Sequence, residues 1–316
     1  MMQDVFGVDA DPAQGGTAAF PLEAGSPAEL TRLCTLLRDI DYTERGICIR
    51  SGSTSMAEYR SRGRVASTDA LEVCIQLFME AEPVARSLVH QLLPVDAPAL
   101  LEQLGLLQVD TADPGQYRAP MSLYPVAGLY LVSDHTAIVV GSNGIEPPDD
   151  VVYPAIQATT IEFLSALPNT PCECLLDIGA GTGVAALLAA SKFARHAWAV
   201  DIADRSTRTC EFNARLNQVE NVTALTGDLF EPVAGLTFDR IVAHPPYMPA
   251  AQTRLIFRDA GADGEELLRR IIQSLPQYLR PGGRFYCRTM ATDRAGAALE
   301  QRIRAWLGQG DQEFDI

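Results

Sequence analysis

The sequence has no apolar run long enough to cross a bilayer. The longest, such as VAALLAA at 184–190, falls far short of the roughly 20 residues a spanning helix needs. Its first residues, MMQDVFGVDADPAQGG, lack a basic segment followed by an apolar one, so they do not read as a secretory signal. A cytoplasmic protein is expected. Cysteine is scarce and scattered: Cys34, Cys48, Cys74, Cys172, Cys174, Cys210 and Cys287. An odd, dispersed set in a 316-residue chain argues against a disulfide framework. Cys172 and Cys174 sit one residue apart, but no Cys/His cluster supplies a second ligand pair, so no metal site is expected. Basic charge is short as well. The chain carries a formal −15, and up to Asp150 there are 21 acidic against 9 basic residues. Phosphate backbones are bound by Lys and Arg that displace counterions, so nucleic acid is not the expected partner. The acidity fits solubility and leaves a basic or neutral substrate open. There is no internal repeat or low-complexity tract.

What is present divides in three. Residues 1–25 are rich in Gly, Ala, Pro and Asp and read as a loose arm. Residues 26–145 read as a smaller helical, winged-helix-like domain. It opens with a capping box, Ser26-Pro27-Ala28-Glu29, before an amphipathic run. A short strand is expected at 47–49, helices at 69–93 (interrupted near Pro83) and 98–104, a hairpin through TADPGQ, and strands at LYLVSD and TAIVV. The last helix, APALLEQLG, has no basic residue to face a groove, so a substrate-capping or dimerisation role suits this domain better than DNA reading, and a homodimer is one option. After a turn-rich linker, residues 146–316 alternate apolar strands with helices. That pattern implies an α/β fold: a doubly wound, mostly parallel sheet.

Four strand ends in this second half carry polar groups. The first ends in LLDIGAGTG, where Asp177 precedes Gly179, Gly181 and Gly183. Glycines at a strand-to-helix turn permit unusual torsions and a close ligand approach. The spacing is G-x-G-x-G, one residue off the dinucleotide fingerprint, which argues against a nicotinamide cofactor. A carboxylate before the turn suits an ammonium-bearing ligand better than a pyrophosphate. The second strand ends in Asp201 and Ile202, placed to meet a ribose diol. The third ends in LTGDLF, where Asp228 can accept from an exocyclic amine and Leu229 can wall an adenine. The fourth ends in His244, Pro245, Pro246 and Tyr247. In open α/β sheets this carboxyl edge is where ligands bind.

Together these residues resemble the class I S-adenosylmethionine (SAM)-dependent methyltransferases. DIGAGTG is similar to that family's glycine-rich motif, Asp201 to its ribose-binding acid and Asp228 to its adenine-contacting residue. HPPY resembles the Asn/Asp-Pro-Pro-Tyr motif of the branch that includes the release factor glutamine methyltransferases and the small methyltransferase domain of ribosomal RNA enzymes. Some bacterial relatives also carry a helical or winged domain before the catalytic one. The resemblance implies a SAM cofactor and methyl transfer to a nitrogen or oxygen of a small molecule or protein side chain. An RNA base methyltransferase and a non-catalytic SAM-binding regulator are the alternatives. It places Tyr153 over the cofactor and leaves Pro245, Pro246 and Tyr247 to shape the acceptor site. The departure is His244, where the family has Asn or Asp. Imidazole offers one acceptor nitrogen rather than an amide oxygen, and it can take a proton near neutral pH. Gly261 and Gly264 suggest a moving lid after HPPY, with Arg258 or Asp259 on substrate. The family's sheet has seven strands. Here only EFDI remains to begin a sixth, so the C-terminal strands look incomplete.

Overall fold

The computed structural model describes residues 20–136, 148–251, 255–291 and 294–316. The expected arm falls mostly outside these residues, as do the strand TAIVV and most of the linker.

The first helix, α1 (Pro27–Asp39), starts as its capping box dictates: Ser26 accepts from the Glu29 N–H, and Glu29 reaches back to Ser26. The segment expected to hold a strand at 47–49 is instead helix α2 (Glu44–Ser51). Thr43 caps it through the Gly46 N–H, and left-handed Gly52 ends it. These end signals outweigh the β-branched pair Ile47 and Ile49. Next come α3 (Ala70–Cys74), which continues as a π-turn through Met79, then β1 (Val84–Ala85), α4 (Arg86–Leu92), α5 (Ala97–Gln103), β2 (Gln108–Val109) and β3 (Gln116–Arg118). The three short strands pair antiparallel in the order β1-β3-β2. Helix, strand, two helices and a hairpin thus follow one another in the N-terminal half. A second hairpin follows, β4 (Ser122–Val126) with β5 (Leu129–Ser133), turning at Ala127 and Gly128.

The second half is the expected parallel sheet. Helix α6 (Ala158–Ala166) leads in. Then come β6 (Cys172–Ile178), α7 (Val184–Lys192), β7 (Ala194–Asp201), α8 (Asp204–Leu216), β8 (Val222–Thr226), β9 (Phe238–Ala243), α9 (Glu266–Tyr278), β10 (Leu279–Cys287) and α10 (Leu299–Leu307). The five strands run parallel in the order β10-β9-β6-β7-β8. The chain winds outward from β6 through β8, then returns to β9 on the other side. The topological switch point therefore lies between β6 and β9. The EFDI segment does not form a sixth strand: 308–313 is a 3-10 turn, and the last three residues are irregular.

Apolar side chains fill both faces. Leu176, Ile178, Val200 and Ile241 pack with Leu268, Ile271 and Leu275 of α9. On the other face Leu175, Ala197 and Val242 join α7, α8 and the buried residues of the N-terminal half in one continuous core.

That junction is also polar. Asn213 and Asn217 stand one turn apart on α8 and bind the backbone of β5 as a neighbouring strand would. Asn213 accepts from the Val132 N–H (2.8 Å) and donates to the Val132 carbonyl (3.2 Å). Asn217 does the same for Tyr130, at 2.8 and 2.6 Å. The strand edge, which would otherwise offer unpaired groups, is thereby satisfied. Arg205 completes the junction with a bidentate bond to buried Asp134, at 2.5 and 2.6 Å. No helix among the described residues is long and apolar enough to cross a membrane.

Candidate functional site

A cavity of about 820 Å³ opens at the switch point, over the carboxyl ends of β6, β7, β8 and β9. All thirteen residues singled out in the sequence lie at this edge. Twelve line the cavity, including Asp177, Gly179, Gly181, Asp201, Ile202, Asp228, Leu229, Tyr153 and the run from His244 to Tyr247. Gly183 sits behind the turn.

The glycine turn is held by β7: the N–H groups of Gly179 and Ala180 donate to the Val200 carbonyl. All three glycines have positive φ, at 70°, 54° and 77°. Their surroundings differ. A Cβ on Gly179 or Gly181 would meet nothing within 4 Å, whereas one on Gly183 would stand 2.2 Å from the Cys210 Sγ. Gly183 is thus required by packing of the turn against α8. The open space over Gly179 and Gly181 is room for a ligand to lie on the main chain. Gly181→Ala should weaken cofactor binding with only a modest loss of stability, of roughly 1–2 kcal/mol from the left-handed torsion. Gly183→Ala should lower the melting temperature more than Gly181→Ala does. Thermal melts of both variants, read beside ligand titrations, check the contrast.

Asp201 sits where the turn and the second strand meet. Its Oδ2 accepts from the Gly181 N–H (2.8 Å) and its Oδ1 from the Ala203 N–H (3.0 Å). The Ser206 side chain and the Ile202 N–H also act on this carboxylate, which is fixed at the cavity wall as an acceptor for adjacent hydroxyls. Ile202 beside it is 60% exposed, an apolar surface for a flat base. Across the cavity Asp228 is held by Arg270 of α9 at 2.6 Å through Oδ2. Leu229 follows with φ at 51°, a strained torsion for a branched side chain, and it turns into the cavity wall.

Asp177 behaves differently from the expected ammonium partner. It is 3% exposed, and its Oδ2 accepts from the Ala186 N–H in the first turn of α7. It caps that helix. Burial, with Asp201 adding repulsion, raises its pKa to about 7. A cationic group entering the cavity would favour the carboxylate and draw out the proton.

His244 ends β9 at the other end of the cavity. Neither ring nitrogen has a hydrogen-bond partner among the described residues. The ring is tilted 45° to Phe163 at 5.5 Å and lies nearly parallel to Tyr247, 16° at 6.2 Å. Burial, then the Arg288 charge, depresses its pKa to about 4. The imidazole is therefore neutral at pH 7, and it does not take a proton near neutrality as the bare residue type suggests. A base that weak abstracts protons poorly at pH 7, so its use is as a hydrogen-bond acceptor.

Tyr153 stacks on Phe257, with centroids 5.3 Å apart at 27°. Phe257 belongs to the loop after HPPY. This loop is pinned to the HPPY segment by main-chain bonds: Met248 N–H to the Arg258 carbonyl, Ala260 N–H to the Met248 carbonyl, and Ala250 N–H to the Gly261 carbonyl, each 2.9 Å. Gly261 and Gly264 serve close approach rather than hinging. A Cβ on Gly264 would stand 2.6 Å from the Tyr247 carbonyl, and one on Gly261 would stand 2.3 Å from Glu266. Asp259 is a staple within the loop, accepting from the Leu255 N–H and the Arg258 guanidinium. Only Arg258 of that pair lies half exposed. Sequence reasoning missed Phe163, Phe257, Arg270 and Arg288. Their spacing carries no motif; the fold brings Phe163, Phe257 and Arg270 to the cavity lining and Arg288 to a place beside Tyr247.

No group of three or more His, Cys, Asp and Glu residues placed to hold a metal occurs among the described residues. The parallel sheet, the open glycine cradle and the Asp201 carboxylate meet in one ligand-sized cavity at the carboxyl edge of the strands. Residues 155–306 match the family model of the methyltransferase small domain. The chain is 32% identical over 163 residues to the ribosomal protein uL3 glutamine methyltransferase of Bradyrhizobium diazoefficiens, covering 46% of this chain and 50% of that protein. It is 33% identical over 163 residues to the release factor glutamine methyltransferase of Geobacter sulfurreducens, covering 46% and 57%. For the release factor glutamine methyltransferase of Moorella thermoacetica the figures are 36% over 128 residues, covering 36% and 45%. The chain thus spans roughly half the length of these curated relatives. The family's cofactor is SAM, and the residues fit it. Asp201 would hold the ribose hydroxyls, Ile202, Asp228 and Leu229 the adenine, and the glycine turn the amino-acid portion.

Proposed function

We propose that this protein transfers a methyl group from SAM to a nitrogen or oxygen of a small molecule or protein side chain, with a protein side-chain nitrogen as the favoured acceptor. One observation carries the reading: the glycine turn, Asp201, Asp228 and the His244–Tyr247 run line a single cavity at the switch point. The glutamine-modifying names of the relatives support a nitrogen acceptor. The 26–145 and 146–316 division is proposed on the same footing, with the winged unit framing the acceptor rather than reading a groove. Its last helix, APALLEQ, presents no basic residue.

SAM supplies an activated methyl group, so the protein's task is orientation and exclusion of water. His244 accepts a hydrogen bond from the acceptor N–H or O–H and aims the lone pair. Pro245 and Pro246 stiffen the strand end, and their rings leave backbone carbonyls as further acceptors. The Tyr247, Phe163 and Phe257 rings wall the acceptor end.

His244→Ala should lower kcat by roughly 10- to 100-fold, the worth of one hydrogen bond made in the transition state. Affinity for S-adenosylhomocysteine should change less than twofold, and His244→Asn should restore much of the rate. In the wild type, kcat should hold from pH 8 down to about 5, then fall as the imidazole titrates near 4. The measurement is label transfer from methyl-labelled SAM into host extract, separated into protein, RNA and small molecules. Label in the protein fraction is expected. Label confined to RNA would overturn the acceptor assignment, and no label in any fraction would overturn the activity.

A further inference from the structure

Glu162, Arg288, Tyr247 and His244 come from different elements and meet beside the end of the cavity that His244 and Tyr247 line. Glu162 stands on α6. Arg288 directly follows β10, where its backbone N–H donates to the Ala243 carbonyl, one residue before His244. Its guanidinium donates through Nη2 to Glu162 at 3.0 Å. The same guanidinium lies 5.9 Å from the centre of the Tyr247 ring, the ring that runs nearly parallel to the imidazole. Nη1 of Arg288 is buried and has no hydrogen-bond partner.

A buried guanidinium nitrogen without a partner is costly, and such an atom in a native fold calls for a reason. The negative face of an aromatic ring is one compensation, and Tyr247 offers it. The charge also acts on the imidazole. The groups facing His244 are Glu162 and Phe163 from α6, Tyr247 from its own loop, and Arg288 beyond β10. Two of these are charged, with opposite signs, and the effect of Arg288 on the ring exceeds that of Glu162.

We propose that Arg288 is a positioning residue for the methyl transfer: tied to Glu162 and set against Tyr247, it fixes that ring beside His244 and makes the imidazole present a lone pair to the acceptor. The role rests on the methyl-transfer reading above. It explains why a histidine can stand where the family has an amide or carboxylate. Burial keeps the imidazole neutral, the neighbouring cation adds to that, and the Tyr247 ring held against Arg288 sets the ring's orientation.

The test uses the full chain with Arg288→Gln, Arg288→Met and Arg288→Lys. The readouts are NMR titration of the His244 ring, calorimetry with S-adenosylhomocysteine, and the pH profile of label transfer into extract protein. The chain has four histidines, so His244→Asn assigns the resonance. Both neutral variants should raise the His244 midpoint by about one pH unit and shift the acid limb of the profile with it. They should cut transfer at pH 7 about tenfold while S-adenosylhomocysteine binds within twofold of wild type. Arg288→Lys keeps the charge and should leave the midpoint near wild type. An unmoved midpoint in a neutral variant that still binds S-adenosylhomocysteine overturns the proposal. A wild-type chain that transfers no label also removes the role, but through failure of the activity, a result the unchanged titration of the other case distinguishes.

Discussion

Asp201→Ala should weaken S-adenosylhomocysteine binding by roughly 100- to 1000-fold, the largest effect expected of any single substitution on the cofactor. The two oxygens of Asp201 are already engaged by the Gly181 and Ala203 N–H groups, which fixes the carboxylate before any ligand arrives. A ribose diol then meets a preorganised acceptor pair. Hydrogen bonds to a charged group contribute roughly 1.5–3 kcal/mol each, and two from the lower part of that range are worth about 3–4 kcal/mol of binding. The same substitution frees the Gly181 N–H and loosens the turn, which adds to the loss. Burial raises the Asp201 pKa, so the affinity should weaken as pH falls towards the carboxylate range. The direction follows from charge: the protonated acid can no longer accept two hydroxyls. Calorimetry at pH 8 and pH 5 reads both effects. Equal affinity in wild type and Asp201→Ala would remove the carboxylate from the site.

Asn213→Ala should produce the largest loss of stability. The residue is fully buried. Its side chain holds three backbone groups: the Val132 N–H, the Val132 carbonyl, and the Thr182 carbonyl at 3.0 Å. Truncation leaves all three without that partner where water is excluded. Each such orphan costs roughly 1–3 kcal/mol, so about 3–5 kcal/mol in total is expected after relaxation. In a chain of this size that lowers the melting temperature by roughly 6–15 °C. Thr182 lies within the glycine turn, so the residue also ties the winged half to the cofactor turn. S-adenosylhomocysteine should therefore stabilise Asn213→Ala less than it stabilises wild type. A melt unchanged within 2 °C would show that the strand-like pairing of α8 with β5 contributes little.

The sheet and most of the candidate site's cavity lining were legible because their signals are local. DIGAGTG, Asp201, Asp228 and HPPY each sit at a strand end, and a parallel sheet brings all strand ends to one edge. The boundaries of β6 to β9 followed from apolar runs closed by these polar residues. The start of α1 was legible for the same kind of reason, since its capping box is short-range. Helix α2 was not, because the Ile47-Cys48-Ile49 run resembles a strand while Thr43 and Gly52 set the outcome. EFDI could have begun a sixth strand, but its first residue closes a 3-10 turn and the next three are irregular. His244 shows a different limit. Its residue type suggests a neutral-pH switch, yet burial and Arg288 move it to about 4. That environment is assembled from 163, 247 and 288, which no window of sequence contains. Asp177 shows the converse: the motif points to it as a ligand group, but its hydrogen-bond partner is the backbone of α7.

The most direct test of the central claim is a crystal structure of the chain with S-adenosylhomocysteine bound. The account predicts the ribose diol on Asp201, the adenine between Ile202 and Leu229, and the sulfur pointing to His244 and Tyr247. A ligand lodged elsewhere, or a turn at Gly179 and Gly181 left uncovered by it, would contradict the account.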